Sequence, residues 1–264
     1  MPELASTPPS ILVAHPGRAM LALGLGSFAI GTGEFVIMGL LPEVAADIGV
    51  TIPQAGHVIS AYALGVVVGA PLLAVLGAKL PRRTLLVLLM GMFAIGNGLS
   101  ALAPDYHWML FFRFISGLPH GAYFGIAALV ASSLVPENKR TLAVGRVFLG
   151  LTVATIVGVP MASFLGQAVG WRWSFALVSV LAVTTMTLVR LYAPNTPPDA
   201  NASPLRELGA LKRGQVWLTL GIGAIGFGGI FSVYTYLADT MAAVTQVSPS
   251  TIPIVFSIFG VGMT

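Results

Sequence analysis

The chain has 264 residues, 56% of them hydrophobic and only 8% charged, with a mean hydropathy of +0.91 and a formal net charge of +4. Soluble domains carry about 25% charged residues. This chain lacks the polar surface to cover itself in water, which argues against a soluble enzyme, a nucleic-acid-binding module and a disordered chain.

At roughly 30 residues per span and connection, the length holds about eight or nine membrane spans. The first 18 residues read as a short cytoplasmic tail ending in Arg18, and Ala19–Leu41 as the first span, with Glu34 its single charge. That run is too long, and too weakly basic in front, for a signal peptide. Further spans are expected at His57–Ala78, Thr84–Ala103, Trp108–Leu134, Val147–Val169, Trp173–Leu188 and Gln215–Leu237, and an eighth begins near Thr251. Short connections make neighbouring spans antiparallel. Ala193–Gly214 is the longer connection, a Pro- and Asn-rich linker followed by a short amphipathic helix. The resulting division is a tail (1–18), a six-helix bundle (19–193), a central cytoplasmic linker (194–214) and the start of a second bundle (215–264).

Basic residues fix the orientation. Arg18, Lys79, Arg82, Arg83, Lys139, Arg140, Arg146, Arg190, Arg206, Lys212 and Arg213 fall on one side, and only Arg172 on the other, beside Glu43, Asp47, Asp105 and Asp239. The N-terminus is expected in the cytoplasm, and the pI near 9.7 is mostly a topology signal rather than a nucleic-acid surface.

A shift of 89 residues lays Val68–Arg83 over Val157–Arg172, with Gly69/Gly158, Pro71/Pro160, Gly77/Gly166 and Arg83/Arg172 coinciding. Three spans separate the copies, so they run in opposite directions, as in the inverted repeats of secondary transporters, whose substrate sites lie near the midplane. Chance agreement among abundant Gly, Pro and Leu is the alternative.

An ionisable group inside a span is costly and normally faces a cavity or a partner. Glu34 lies roughly 10 Å, and Arg113 of the fourth span roughly 8 Å, below the same face, so the two can meet. Either Glu34 carries protons, loading and unloading as cavity hydration changes, or the pair is a permanent staple between helices. His120, in Gly117–Gly121, can bind a substrate hydroxyl or relay protons, or else satisfy a carbonyl freed by Pro119. Small residues recur every fourth position at Gly150, Ala154, Gly158, Ala162, Gly166 and Gly170, with Pro160 bending the helix or opening its ladder; Gly65, Gly69 and Pro71 form a shorter version. Close helix packing explains the stripe, and a gating role is the functional alternative. The GxGxxG match at Gly221–Gly226 lies inside an apolar span, where no dinucleotide site forms. No cysteine is present, no metal-ligand spacing stands out, and Ser, His and Asp are too dispersed for a hydrolytic triad.

The sequence resembles the major facilitator superfamily, in its drug:H+ antiporter branch with twelve spans, and most closely the arabinose-efflux-permease-type and sugar-efflux-type bacterial exporters. Gly33–Thr51 is similar to the branch's first-helix signature, Pro53–Pro71 to the second helix of arabinose-type members, Arg113–Gly125 to the fourth-helix motif and Gly150–Pro160 to the antiporter motif of the fifth helix. The loop after the second span departs from pattern: Lys79, Arg82 and Arg83 match, but Ala78 stands where the family has Asp and Pro81 where it has Gly. The resemblance implies an all-α polytopic membrane protein of the major facilitator fold: a complete N-terminal six-helix bundle with a 3+3 inverted repeat and the start of a C-terminal bundle, thus truncated. It implies proton-coupled export of a sugar or small amphipathic drug across the bacterial cytoplasmic membrane by alternating access, no cofactor, and a monomer when full length. It makes Arg113 a proton-coupling residue and Phe227, Phe231 and Tyr234 of the seventh span candidate substrate contacts. The rival readings are a proton-coupled uptake symporter and, from another class, a non-transporting membrane fragment or sensor.

Overall fold

The computed structural model describes residues 16–196 and 209–263. The tail before Pro16, most of the linker and Arg206 lie outside them. The main apolar segments run in order: α1 (Pro16–Asp47), α2 (Ile52–Gly77), α3 (Arg82–Ala101), α4 (Tyr106–Ser133), α5 (Glu137–Val169), α6 (Trp171–Tyr192), α7 (Gly214–Tyr234) and α8 (Pro249–Gly262), with a short helical stretch, Leu237–Thr240 and Met241–Thr245, between the last two. The first seven are long and apolar enough to span a membrane, and α8 is a shorter apolar helix. No strand occurs among the described residues.

Local chemistry sets the helix ends. Thr51 and Gln54 form a reciprocal capping box at the start of α2, where Pro stands in the first turn. The Asp105 carboxylate accepts from the His107 and Trp108 amides at 2.9 and 3.1 Å to start α4. Such caps contribute about 1 kcal/mol each. Gly170 alone joins α5 to α6, with φ of +106°, a conformation that disfavours any side chain.

Two helices extend beyond their apolar runs. Helix α1 continues through Pro42 and Glu43 to Asp47, after tightening to a 3-10 turn at Val36–Leu40. Helix α5 starts at Glu137, so Lys139, Arg140 and Arg146 sit on its first turns rather than in a loop. Hydropathy marks the part of a helix that crosses hydrocarbon, and polar ends project beyond it. The expected linker helix begins outside the described residues, and its described part, from Gly209 on, holds only a short 3-10 turn at Gly209–Lys212.

In the first six helices, α2 packs on α4, α3 on α4 and α6, and α1 on α5 and α6. Glycines permit the closest crossings. A methyl at Gly65 or Gly69 would run into the Phe114 or Leu118 carbonyl of α4, and one at Gly150 into the Gly24 carbonyl of α1. The sequence repeat has a spatial counterpart: Gly77 abuts Leu85, and Gly166 abuts Ser174, the same pair 89 residues on. We call the membrane face toward which α1 runs the distal face. There Arg172 binds the Asp47 carboxylate and donates to the Ala103 carbonyl at 3.1 Å, while the Trp171 indole donates to Asp47 at 3.1 Å. The one basic residue expected on that side thus ties three connections together.

Candidate functional site

Glu34 sits one residue before the end of the regular α-helical part of α1 and lines a cavity of about 440 Å³. Ser60 and Tyr62 of α2 and Phe231, Ser232 and Tyr236 at the α7 end share its wall. His120 stands beside Glu34, with Nδ1 4.0 Å from the carboxylate. The same nitrogen is 2.9 Å from the Tyr62 hydroxyl. One imidazole is therefore hydrogen-bonded to a phenol and stands beside a carboxylate.

Of the two readings of Glu34 and Arg113, the direct ion pair is not formed: no nitrogen of Arg113 lies within 4.0 Å of the carboxylate. Arg113 is fully buried, and its Nη1 donates instead to the backbone carbonyl of Gly33 at 3.0 Å. Its guanidinium lies over the Tyr62 ring at 4.4 Å and near the Phe175 ring at 5.4 Å. These π faces supply part of the compensation a desolvated cation needs. Nε and Nη2 have no hydrogen-bond partner. Depth along a helix axis placed the two residues at one level; rotation about the axis directs Arg113 to the backbone beside Glu34.

Among the three α7 candidates, Phe231 packs on Phe35 with centroids 5.6 Å apart and borders the cavity. Tyr234 is buried edge-on between Phe35, at 5.6 Å, and Phe256, at 4.8 Å. Phe227 is 60% exposed and does not border the cavity. Sequence reasoning missed Tyr62, which reads as one more apolar position. The available signal was that α2 contains no other Phe, Trp or Tyr.

The gating candidates lie where helices approach most closely. Helix α5 widens into a π turn at Ala154–Gly158, directly before Pro160. Proline lacks an amide hydrogen and pushes away the carbonyl four residues earlier, here Ile156. That carbonyl accepts from the Ser257 hydroxyl of α8 at 3.0 Å. A methyl on Gly260 would meet the Thr155 backbone at 2.8 Å, so α8 lies directly on the π turn. A methyl on Gly158 would meet Thr32 and Phe28 of α1. In α2, Pro71 lies within an uninterrupted α-helix. Lys79, Arg82 and Arg83 lie at the α2–α3 turn and form no ion pair among the described residues. The described residues hold no group of three or more metal-ligating side chains.

Contacts between α7–α8 and the first six helices gather toward the distal half: Phe35 with Phe231, Gly56 with Tyr236, and Ile156 with Ser257. The proximal half of α7 exposes Leu218, Leu220, Ile222 and Ile225.

Residues 23–264 match the Major Facilitator Superfamily. The inner membrane transport protein YdhP of Escherichia coli K12 is 42% identical over 245 residues, covering 93% of this chain and 63% of that protein. A probable sugar efflux transporter of Mannheimia succiniciproducens is 32% identical, covering 92% and 61%. The inward-facing, unoccupied crystal structure of a bacterial homologue of the human lysosomal transporter Spinster superimposes with a TM-score of 0.72 at 20% identity, over 94% of this chain and 61% of that one. The chain thus spans somewhat less than two thirds of the length of these proteins.

Proposed function

The chain belongs to the Major Facilitator Superfamily, a family of membrane transporters rather than enzymes, and on that premise we propose that it forms the first bundle and the opening helices of a proton-coupled exporter. Its cargo is a small molecule, a sugar or an amphipathic drug, and its location is the bacterial cytoplasmic membrane with the N-terminus inside. The carrying observation is Glu34, a carboxyl in a cavity wall within a span, backed by a fully buried guanidinium that no carboxylate neutralises directly.

Chemically, Glu34 has two balanced states. Protonated, it is neutral and fits an apolar wall. Ionised, it lies beside the Arg113 charge, held on the neighbouring Gly33 carbonyl. His120, 4.0 Å from the carboxylate, and Tyr62, hydrogen-bonded to His120, place donor and acceptor groups beside it. A change in cavity hydration shifts the balance between these states, so a proton taken up on one side is released on the other as cargo moves the opposite way. The wall offers hydroxyls at Ser60, Tyr62, Ser232 and Tyr236 and an aromatic face at Phe231, groups that suit hydroxylated or amphipathic cargo.

Export is favoured over uptake by the resemblance of Gly150–Pro160 to the antiporter motif and by the sugar efflux relative. The orientation rests on the basic residues gathered on the N-terminal side. The test is reconstitution of the full-length transporter with a panel of sugars and amphipathic drugs and a pH dye inside the vesicles. Antiport predicts that cargo and protons move in opposite directions; movement in the same direction would make the protein a symporter.

A further inference from the structure

Four polar side chains in the distal half each carry a buried atom that no hydrogen bond reaches. Oε2 of Glu43, Nε2 of Gln167, Oγ of Ser163 and Oη of Tyr234 are each buried without a partner. Leaving such a group dry costs about 1–3 kcal/mol, and native interiors satisfy their polar atoms with protein or ordered water.

The four are arranged as a ladder. Helices α1 and α5 run in the same direction and touch at Gly39, where a methyl would strike the Ser163 hydroxyl. One turn further along each helix, about 6 Å toward the distal face, come Glu43 and Gln167. In the other direction, Phe256 lies against Gly39 and its ring packs on Tyr234 at 4.8 Å. Tyr234 packs on Phe35, the neighbour of Glu34. The ladder therefore runs from a half-buried carboxylate near the surface, past an amide and two fully buried hydroxyls, to the cavity carboxylate. Asp47, one turn beyond Glu43, differs in being tied to Arg172 and Trp171.

We propose that Glu43, Gln167, Ser163 and Tyr234 line a water-filled proton route from the distal surface to Glu34, with Glu43 at its mouth. It rests on the reading of Glu34 as the proton carrier. Carboxylate and hydroxyl oxygens accept, and hydroxyls and the amide donate, so water entering between them, past the Phe256 ring, would join them into a chain. Glu43 takes a proton from bulk water and passes one to the adjacent water, and the chain delivers one to the Glu34 carboxylate. Nothing else is consumed. On the orientation proposed above, this is the entry path for external protons.

Radiolytic hydroxyl labelling of the protein in lipid nanodiscs, in 18O water, tests the hydration directly. Tyr234 should be labelled comparably to the partly exposed Tyr236, whereas Tyr123, fully buried and bonded to the Leu23 carbonyl, should stay unlabelled. The double variant Gln167→Leu, Ser163→Ala should drop Tyr234 to the Tyr123 level without changing Tyr236. A Tyr234 as protected as Tyr123 in the unaltered protein would overturn the route. A second readout follows deuterium exchange of the Glu34 carboxyl through the infrared band that disappears in Glu34→Gln. Glu43→Gln, which keeps the shape, should slow that exchange about tenfold or more, and an unchanged rate would remove Glu43 from the route. Proton coupling itself is read separately in vesicles, where intact coupling in Glu34→Gln would refute the underlying reading and leave the hydration result to the Tyr234 label.

Discussion

Helices α2 and α5 carry the same Gly-x-Pro element 89 residues apart, yet their backbones respond differently. Gly69 and Gly158 each lie against a partner helix, and Gly77 and Gly166 abut equivalent positions. Pro71 is exposed within a regular helix, whereas Pro160 is buried and preceded by a π turn. The covalent cause is identical, since both prolines lack an amide hydrogen. What differs is the neighbour: α8 crosses α5 at the turn and Ser257 takes up the Ile156 carbonyl, while the Val67 side chain, four residues before Pro71, is 70% exposed. A repeated sequence therefore specifies a repeated packing surface, and the helix laid upon it determines whether the backbone deforms.

The largest effects should separate the two glycines. Gly69→Ala drives a methyl into the Leu118 backbone, which cannot move aside, and should cost about 3 kcal/mol. Gly158→Ala meets the Thr32 hydroxyl and the Phe28 ring, side chains that can shift, and should cost about 1 kcal/mol. Unfolding in detergent micelles measures both, and equal costs would erase the distinction between yielding and rigid neighbours.

The prolines come next. Pro71→Ala restores a helical hydrogen bond at an open site and should stabilise by about 1–3 kcal/mol. Pro160→Ala should gain less, because Ser257 already satisfies the freed carbonyl. Ser257→Ala should cost about 1 kcal/mol with Pro160 present and almost nothing with Pro160→Ala. A double-mutant cycle with no coupling would mean that α8 does not compensate the proline.

The smallest effect concerns the arginines that also coincide in the repeat. Arg172→Ala loses a half-exposed pair with Asp47 and should cost at most about 1 kcal/mol, screened by salt. Arg83→Ala should be neutral for stability, since Arg83 has no ion pair among the described residues. A cost for Arg83 matching that for Arg172 would contradict the assignment of the distal clamp.

Much of this architecture is legible in the sequence because the bilayer imposes a length and a polarity on every span. The cores of all seven long helices fall where the apolar runs predict them. The polar extension of α1 through Glu43 to Asp47 escapes that reading, because hydropathy reports immersion rather than helicity. Glu34 and Arg113 stand out as charges inside spans, but their relation does not: axial depth can be counted, whereas azimuth depends on how α1 and α4 cross. Tyr62 hides because a phenol counts as apolar until its hydroxyl meets His120. Ser257 is equally invisible, since its role exists only once α8 is known to lie over Pro160.

The central claim is that Glu34 couples proton movement to cargo. The most direct measurement is cargo movement driven by an imposed pH gradient in vesicles containing the full-length transporter with Glu34→Gln, compared with exchange of cargo at equal pH. Loss of gradient-driven transport with exchange and cargo binding retained is the expected result. Gradient-driven transport at the unaltered rate would contradict the claim.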